Sequence, residues 1–229
     1  MNNNYEIIHN LELLKKGYST RFLDSKMQLE LKKKLKKNEY QIYYPYDESE
    51  KVLFYTKKIP EITLLEIISK ENLEHKDVLG SVFSLGIDSS MFGDIIISDN
   101  HYYIYVLKEI KDLFLNHFYV IKRTNIKVEE RNLDLLKDYK REFCDIKIIV
   151  SSKRFDTIIS KLIGVNRTKV LELIRMKDVL LNCEVLSNPS KKIIEGDIFS
   201  IRKYGKYKYI GVLKNTKNDN LILLIKKYI

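Results

Sequence analysis

The run Ser151-Ser152-Lys153-Arg154-Phe155-Asp156, an apolar helix pattern, Gly164-Val165-Asn166-Arg167-Thr168-Lys169, a second helix pattern and then Val179-Leu180-Leu181-Asn182 decide how this chain is read. Phe155, Ile158, Ile159 and Leu162 recur at helical spacing, which lays one apolar stripe along a first helix and sets Arg154 and Lys161 on another face. Gly164 stops that helix and Asn166 is placed to cap the next. Arg167, Thr168 and Lys169 then fall in a first turn whose backbone N–H groups lack intrahelical acceptors. Cations there oppose the helix dipole and are unfavourable by a few tenths of a kcal/mol until an anion offsets them. One side of the helix pair packs; the other is a phosphate seat.

Charge follows the same division. The 229 residues carry a net charge of +10, and all of it lies in residues 151–229, where 17 Lys and Arg face 7 Asp and Glu; residues 1–150 hold 24 of each. A genome biased toward lysine would not spare the first 150 residues, so the imbalance points to a polyanionic partner at the C-terminal end. No run of about 18 apolar residues is present and the N-terminus is polar and acidic, so no membrane partner and a cytoplasmic setting are expected. Cys144 and Cys183 are far apart and lack a CxxC companion, which argues against a disulfide framework and against a zinc site.

Upstream, residues 1–60 open with scattered apolar positions. A basic helix pattern then runs from about Ser25 to Lys37, and the strand-like Gln41–Tyr44 and Val52–Tyr55 flank a Pro45-Tyr46-Asp47 turn. Residues 61–145 read strand, helix, two strands joined across Ser98-Asp99-Asn100, helix, strand, which is the βαββαβ order of ferredoxin-like and RRM-like domains. The strand His101–Val106 places His101, Tyr103 and Tyr105 on one face. Tyr103 and Tyr105 are therefore candidate base-stacking residues, the alternative being that they pack under a neighbouring domain or line a solvated sheet. Glu129 to Glu142 reads as a short charged helical linker, and residues 146–229 begin with a strand. They end in an alternating pattern around Gly196, Gly205, Gly211 and an Asn218-Asp219-Asn220 turn, which suits a small sheet.

Two resemblances follow from these residues. Arg154-Phe155-Asp156, Asn166 to Lys169, Leu173-Ile174, Val179 to Asn182, Pro189-Ser190, Glu195-Gly196-Asp197 and Ser200 to Tyr207 together resemble the S-four RNA-binding domain. The resemblance implies an αL-type fold of two helices on a small bent sheet, with RNA contacts from Lys153, Arg154, Lys161, Asn166, Arg167, Thr168, Lys169, Arg175, Arg202, Lys203, Tyr204 and Lys206. The sequence departs from that family in having Lys177 or Asp178 where a glycine usually follows the second helix, and Lys203 and Lys206 in place of the usual Gly and Arg. His75-Lys76-Asp77, Leu79-Gly80, Leu85-Gly86-Ile87 and Gly93-Asp94-Ile95 resemble landmarks of the YlmH family. Here Lys76 and Ser89 stand where arginines are usual. Residue by residue, Gly93 reads as a turn and Asp77 and Asp94 as local caps.

The combined expectation is an α+β protein: an N-terminal α/β domain, an RRM-like middle domain and an S-four-type C-terminal domain. The resemblance implies a monomer that docks on structured ribosomal or transfer RNA, in particular large ribosomal subunits carrying peptidyl-tRNA in ribosome quality control. Arg154-Phe155-Asp156 is also similar to the Arg-Leu-Asp of pseudouridine synthases, where the Asp is a nucleophile; no catalytic domain follows it, so Asp156 is expected to cap or pair locally. With no phosphate-binding loop, dinucleotide glycine pattern, GxSxG or paired metal ligands, neither enzymatic activity nor a cofactor is expected. The rival readings are an RNA-modifying enzyme that uses the C-terminal domain for docking, and a scaffold associated with cell division.

Overall fold

The computed structural model describes residues 3–98, 101–216 and 219–228. Asp99, Asn100 and Asn218, from two of the expected turns, lie outside them. The chain is mixed α+β and divides into two compact units, residues 1–140 and residues 141–229.

The first unit begins with α1 (Asn3–Lys15), α2 (Ser25–Lys34) and the antiparallel pair β1 (Gln41–Tyr43) and β2 (Leu53–Tyr55). It continues through β3 (Ile62–Ser69), α3 (His75–Ser84), β4 (Phe92–Ser98), β5 (His101–Leu107), α4 (Lys111–His117), β6 (Val120–Ile121) and β7 (Thr124–Arg131). The larger sheet has the order β4-β5-β3-β7-β6 with every pairing antiparallel. One face carries Leu65, Ile67, Tyr102, Ile104 and Val106, buried with Val78 and Val82 of α3 and Phe114 of α4.

The other face is half covered by residues 1–60. Phe22, Tyr46 and Leu53 pack there on Leu64, Ile96 and Tyr105, and the Tyr46 ring stacks 6.2 Å from that of Tyr105. Asp94 fastens the cover: its Oδ2 accepts from the Tyr46 hydroxyl and the Glu50 N–H, each at 2.7 Å. Gly93 is not a turn but a buried strand residue, because a Cβ there would lie 2.9 Å from the Phe22 ring. The Gly93-Asp94 pair therefore gives the N-terminal segment both the space to approach and the acceptor that holds it.

Two local expectations change. Residues 3–15 are helical although their apolar pattern is scattered, since Asn10 interrupts the stripe of Ile7, Leu11 and Leu14. Asn10 is nevertheless buried, donating to the Glu6 carbonyl at 3.0 Å and accepting from the Arg21 N–H at 3.4 Å. The charged stretch after β7 forms only a single 3-10 turn, Leu133–Leu136, whose Leu136 packs back into the covered sheet face.

The second unit contains β8 (Phe143–Val150), α5 (Phe155–Ile163), α6 (Arg167–Arg175), β9 (Val179–Leu181), β10 (Glu184–Val185), β11 (Ile198–Ile201), β12 (Gly205–Asn215) and β13 (Leu221–Tyr228). Its strands form one antiparallel sheet in the order β10-β9-β11-β12-β13-β8. The stripe of Phe155, Ile158 and Ile159 packs with Val170 and Leu173 onto Phe199, Tyr207, Tyr209, Leu223 and Ile225.

α6 ends in a Schellman motif: Lys177 N–H bonds Ile174 O at 3.0 Å and Asp178 N–H bonds Leu173 O at 2.9 Å. The left-handed position, φ 60°, is held by Lys177, and Lys203 holds another at φ 69° in the β11–β12 turn. Glycine suits such positions better, and the lysine side chains make those conformations less favourable.

Two stability outcomes are expected. Gly93→Ala should destabilise the protein by about 1–3 kcal/mol through overpacking, with less loss in a Phe22→Leu background; a double-mutant cycle by urea unfolding measures this coupling. Lys177→Gly should stabilise it by about 0.5–1 kcal/mol, read from the same unfolding curves.

Candidate nucleic-acid interface

Residues of α5 and α6 build a polar relay over the apolar stripe. Asp156, 5% exposed, accepts from Arg154 Nε at 3.1 Å on Oδ1 and from an Arg154 terminal nitrogen at 2.7 Å on Oδ2. The Thr157 N–H also donates to Oδ1, at 2.8 Å. The Thr157 hydroxyl in turn accepts from the Arg167 guanidinium at 2.7 Å. One buried carboxylate thus fixes Arg154 directly and, through Thr157, orients Arg167 from the neighbouring helix. The Arg154 guanidinium holds the Asp156 carboxyl below its usual range, assisted by the Thr157 N–H and opposed by burial. Asp156 is locally paired.

The two helix starts differ. In α5 the N–H groups of Phe155 and Asp156 are taken by the carbonyls of Lys191 and Pro189, each at 3.0 Å, so an anion has no access to them. α6 is open: the Asn166 side chain caps only the Lys169 N–H, at 2.8 Å, while Arg167 and Thr168 stand exposed in the first turn. Beside this start lies a cleft of about 330 Å³ lined by Ser151, Thr157, Ser160, Lys161, Arg167 and Asn220 among others. Its two cations and four neutral hydrogen-bonding side chains suit a phosphate with its sugar.

The remaining expected contacts separate into groups. Lys169 is exposed and pairs with Glu172 at 2.8 Å, and that carboxylate holds its pKa above the ordinary value. Lys203 and Tyr204 are exposed in the β11–β12 turn. Arg202 is exposed and reaches Asp178 at 3.3 Å. Arg175 is exposed at the end of α6, and Lys153 is partly exposed before α5. Lys206 does not join them: its ammonium lies 4.8 Å from the centre of the Tyr228 ring, with strand register placing it on the sheet face away from the helices.

The aromatic pair of the middle domain divides. Tyr105 is 0% exposed beneath Tyr46 and its hydroxyl points to Leu133 O at 3.4 Å, so it cannot stack a base; burial pushes its pKa up. Tyr103 is only partly buried, its ring 6.0 Å from His101 in a stacked arrangement. Next to them the buried Glu66 carboxylate binds His101 and, at 2.5 Å, Arg131. Sequence reading missed Thr157, Ser160 and Asn220. No pattern marks a threonine as the link between two arginines, because the link exists only once α5 and α6 pack.

A family-model comparison assigns a class to part of this architecture: residues 60–135 match a model described as a putative RNA-binding domain in YlmH. The chain is also 26% identical over 151 residues to ribosome-associated protein quality control protein P2 of Bacillus subtilis (strain 168), an alignment covering 65% of this chain and 58% of that protein. In fold it is similar to the cell division protein YlmH of Streptococcus pneumoniae, with a TM-score of 0.50 and 21% identity over 60% of this chain and 96% of that one. The first two are likenesses of sequence, confined to part of the chain, and the third is a likeness of fold.

Asp156 sets a pH dependence. Its folded pKa is depressed, so its stabilising contribution is complete above the unfolded carboxyl value of about 3.9 and is lost as pH falls through the folded value. Asp156→Asn should therefore cost about 2 kcal/mol at neutral pH, and the difference from wild type should shrink below about pH 4 in urea unfolding followed against pH.

Proposed function

We propose that this chain is a non-enzymatic, monomeric, cytoplasmic RNA-binding protein that docks on structured ribosomal and transfer RNA, with the large ribosomal subunit carrying peptidyl-tRNA as its target in quality control. Residues 61–145 act as an RRM-like module, a reading supported by the antiparallel order β4-β5-β3-β7. Residues 146–229 act as an S-four-type module.

The observation that carries the proposal is the open start of α6, where Arg167 is pre-oriented by Thr157 beside a cleft of about 330 Å³ that is also lined by Lys161. Pre-orientation matters because a guanidinium already fixed by protein loses little freedom on meeting a phosphate. Arg154, Lys169, Arg175, Arg202, Lys203 and Tyr204 extend this footprint. The similarity to a ribosome-associated quality control protein and to a putative RNA-binding domain supports the choice of RNA and ribosome as partners. Asp156 serves as a positioning residue in this reading, since Arg154 and Thr157 occupy its oxygens.

The test is co-sedimentation with ribosomal particles on sucrose gradients. Wild type should travel with large subunits and a Lys161→Gln, Arg167→Gln variant should stay at the top. With purified structured RNA, each lost phosphate contact should lower the log-log salt slope by about 0.9. Ribosome binding unchanged in the variant would overturn the assignment of this face, and a mass-shifted nucleoside in RNA treated with the protein would overturn the non-enzymatic reading.

A further inference from the structure

The face of the C-terminal sheet turned away from α5 and α6 is itself basic and aromatic. Phe199, Tyr207, Tyr209, Leu223 and Ile225 point toward the helices, so strand alternation sends Lys206, Lys208, Lys226 and Tyr228 the other way. Register sets them in rows. Ile198, Lys208, Lys226 and Asp145 face one another across four strands in one row, and Tyr228 lies opposite Phe143 in the next. Lys147, opposite Leu224, adds a further cation.

Three features separate this face from an ordinary solvated one. Lys208 and Lys226 are directly opposed like charges in an antiparallel pair, and only Lys226 has a carboxylate, Asp145, opposite it on its other side, so a bound anion would relieve the repulsion at Lys208. Among the described residues Lys147, Lys208 and Lys226 make no ion pair, whereas Arg154, Lys169 and Arg202 on the helix side each hold a carboxylate. Finally, the cations are interleaved with rings: Lys206 lies 4.8 Å and the Arg141 guanidinium 5.7 Å from the Tyr228 centroid, and Lys226 lies 5.1 Å from that of Phe143. Cations tracking a backbone, with aromatic rings between them for unpaired bases, are the features that bind single-stranded nucleic acid.

We infer that this sheet face is a second RNA site, which takes a single-stranded segment while the helix face holds structured RNA, so that the C-terminal unit joins two RNA elements. The bridging role rests on the function proposed above; the second site stands on the sheet face alone.

The experiment uses the full chain and two probes, a blunt RNA duplex of about one helical turn and a fluorescent oligouridine of about 15 nucleotides. Both should bind together, neither displacing the other. Replacing Lys147, Lys208 and Lys226 with Gln should weaken oligouridine about tenfold and lower its salt slope by about 2, leaving duplex binding intact. Lys161→Gln with Arg167→Gln should do the reverse. The sheet variant should melt within a few degrees of wild type, since the lost Lys208–Lys226 repulsion and the lost Lys226–Phe143 contact act in opposite directions.

Oligouridine binding unchanged in the sheet variant, or competition between the probes for one site, would overturn the inference. Duplex binding without oligouridine binding would overturn it and leave the proposed function standing; oligouridine binding without duplex binding would do the opposite. If the sheet variant lost only its attachment to phosphatidylserine vesicles, the face would belong to a membrane and the inference would fall.

Discussion

The buried carboxylate of Asp156 is the constraint on which the helix-side interface depends. A charge held at 5% exposure survives only if its oxygens are satisfied, and here they are satisfied by Arg154 and Thr157. Satisfaction has a geometric by-product. Once Thr157 is held at the start of α5, its hydroxyl is fixed where Arg167 of α6 can reach it, and two guanidinium groups from different helices become parts of one rigid surface. The same requirement that makes the fold tolerate a buried charge arranges its exposed ones.

In the first unit a different choice has been made with similar materials. The middle sheet presents aromatic residues on the face away from its helices, yet Tyr46, Phe22 and Leu53 cover half of that face. Tyr105 becomes core, whereas Tyr103 stays at the edge of the cover beside the Glu66–Arg131–His101 cluster. The part that remains open holds Tyr103 and His101 but not Tyr105. The burden of RNA contact in the proposed function therefore falls on the second unit.

Much of this was legible from residues alone. The stripe of Phe155, Ile158 and Ile159, the Gly164 stop and the Asn166 cap define α5 and α6 because each acts within a few residues of itself. The order of strands and helices in the middle segment follows from periodicity in the same way. Interactions between segments left no such trace: alternation gives the face on which Tyr105 lies but not what covers it, and Gly93 reads as a turn until Phe22 is seen against it. Asn10 hid a helix by looking polar in a stripe whose bonds it makes internally. The basic sheet face went unread although Lys206 and Lys208 stand two apart, since their partner Lys226 is remote in sequence.

The cover over the middle sheet separates two boundaries that are easily taken for one. Similarity to the RNA-binding family model begins at residue 60, just where the residues that shield Leu64, Ile96 and Tyr105 end. A chain begun there would keep every strand of the sheet and lose Phe22, Tyr46 and Leu53 from above it, leaving an apolar strip and taking the Tyr46 and Glu50 bonds from Asp94. Such a fragment would be prone to self-association through that strip. The stretch that sequence comparison recognises is thus smaller than the compact unit of residues 1–140, in which the first 60 residues cover part of the segment that follows them.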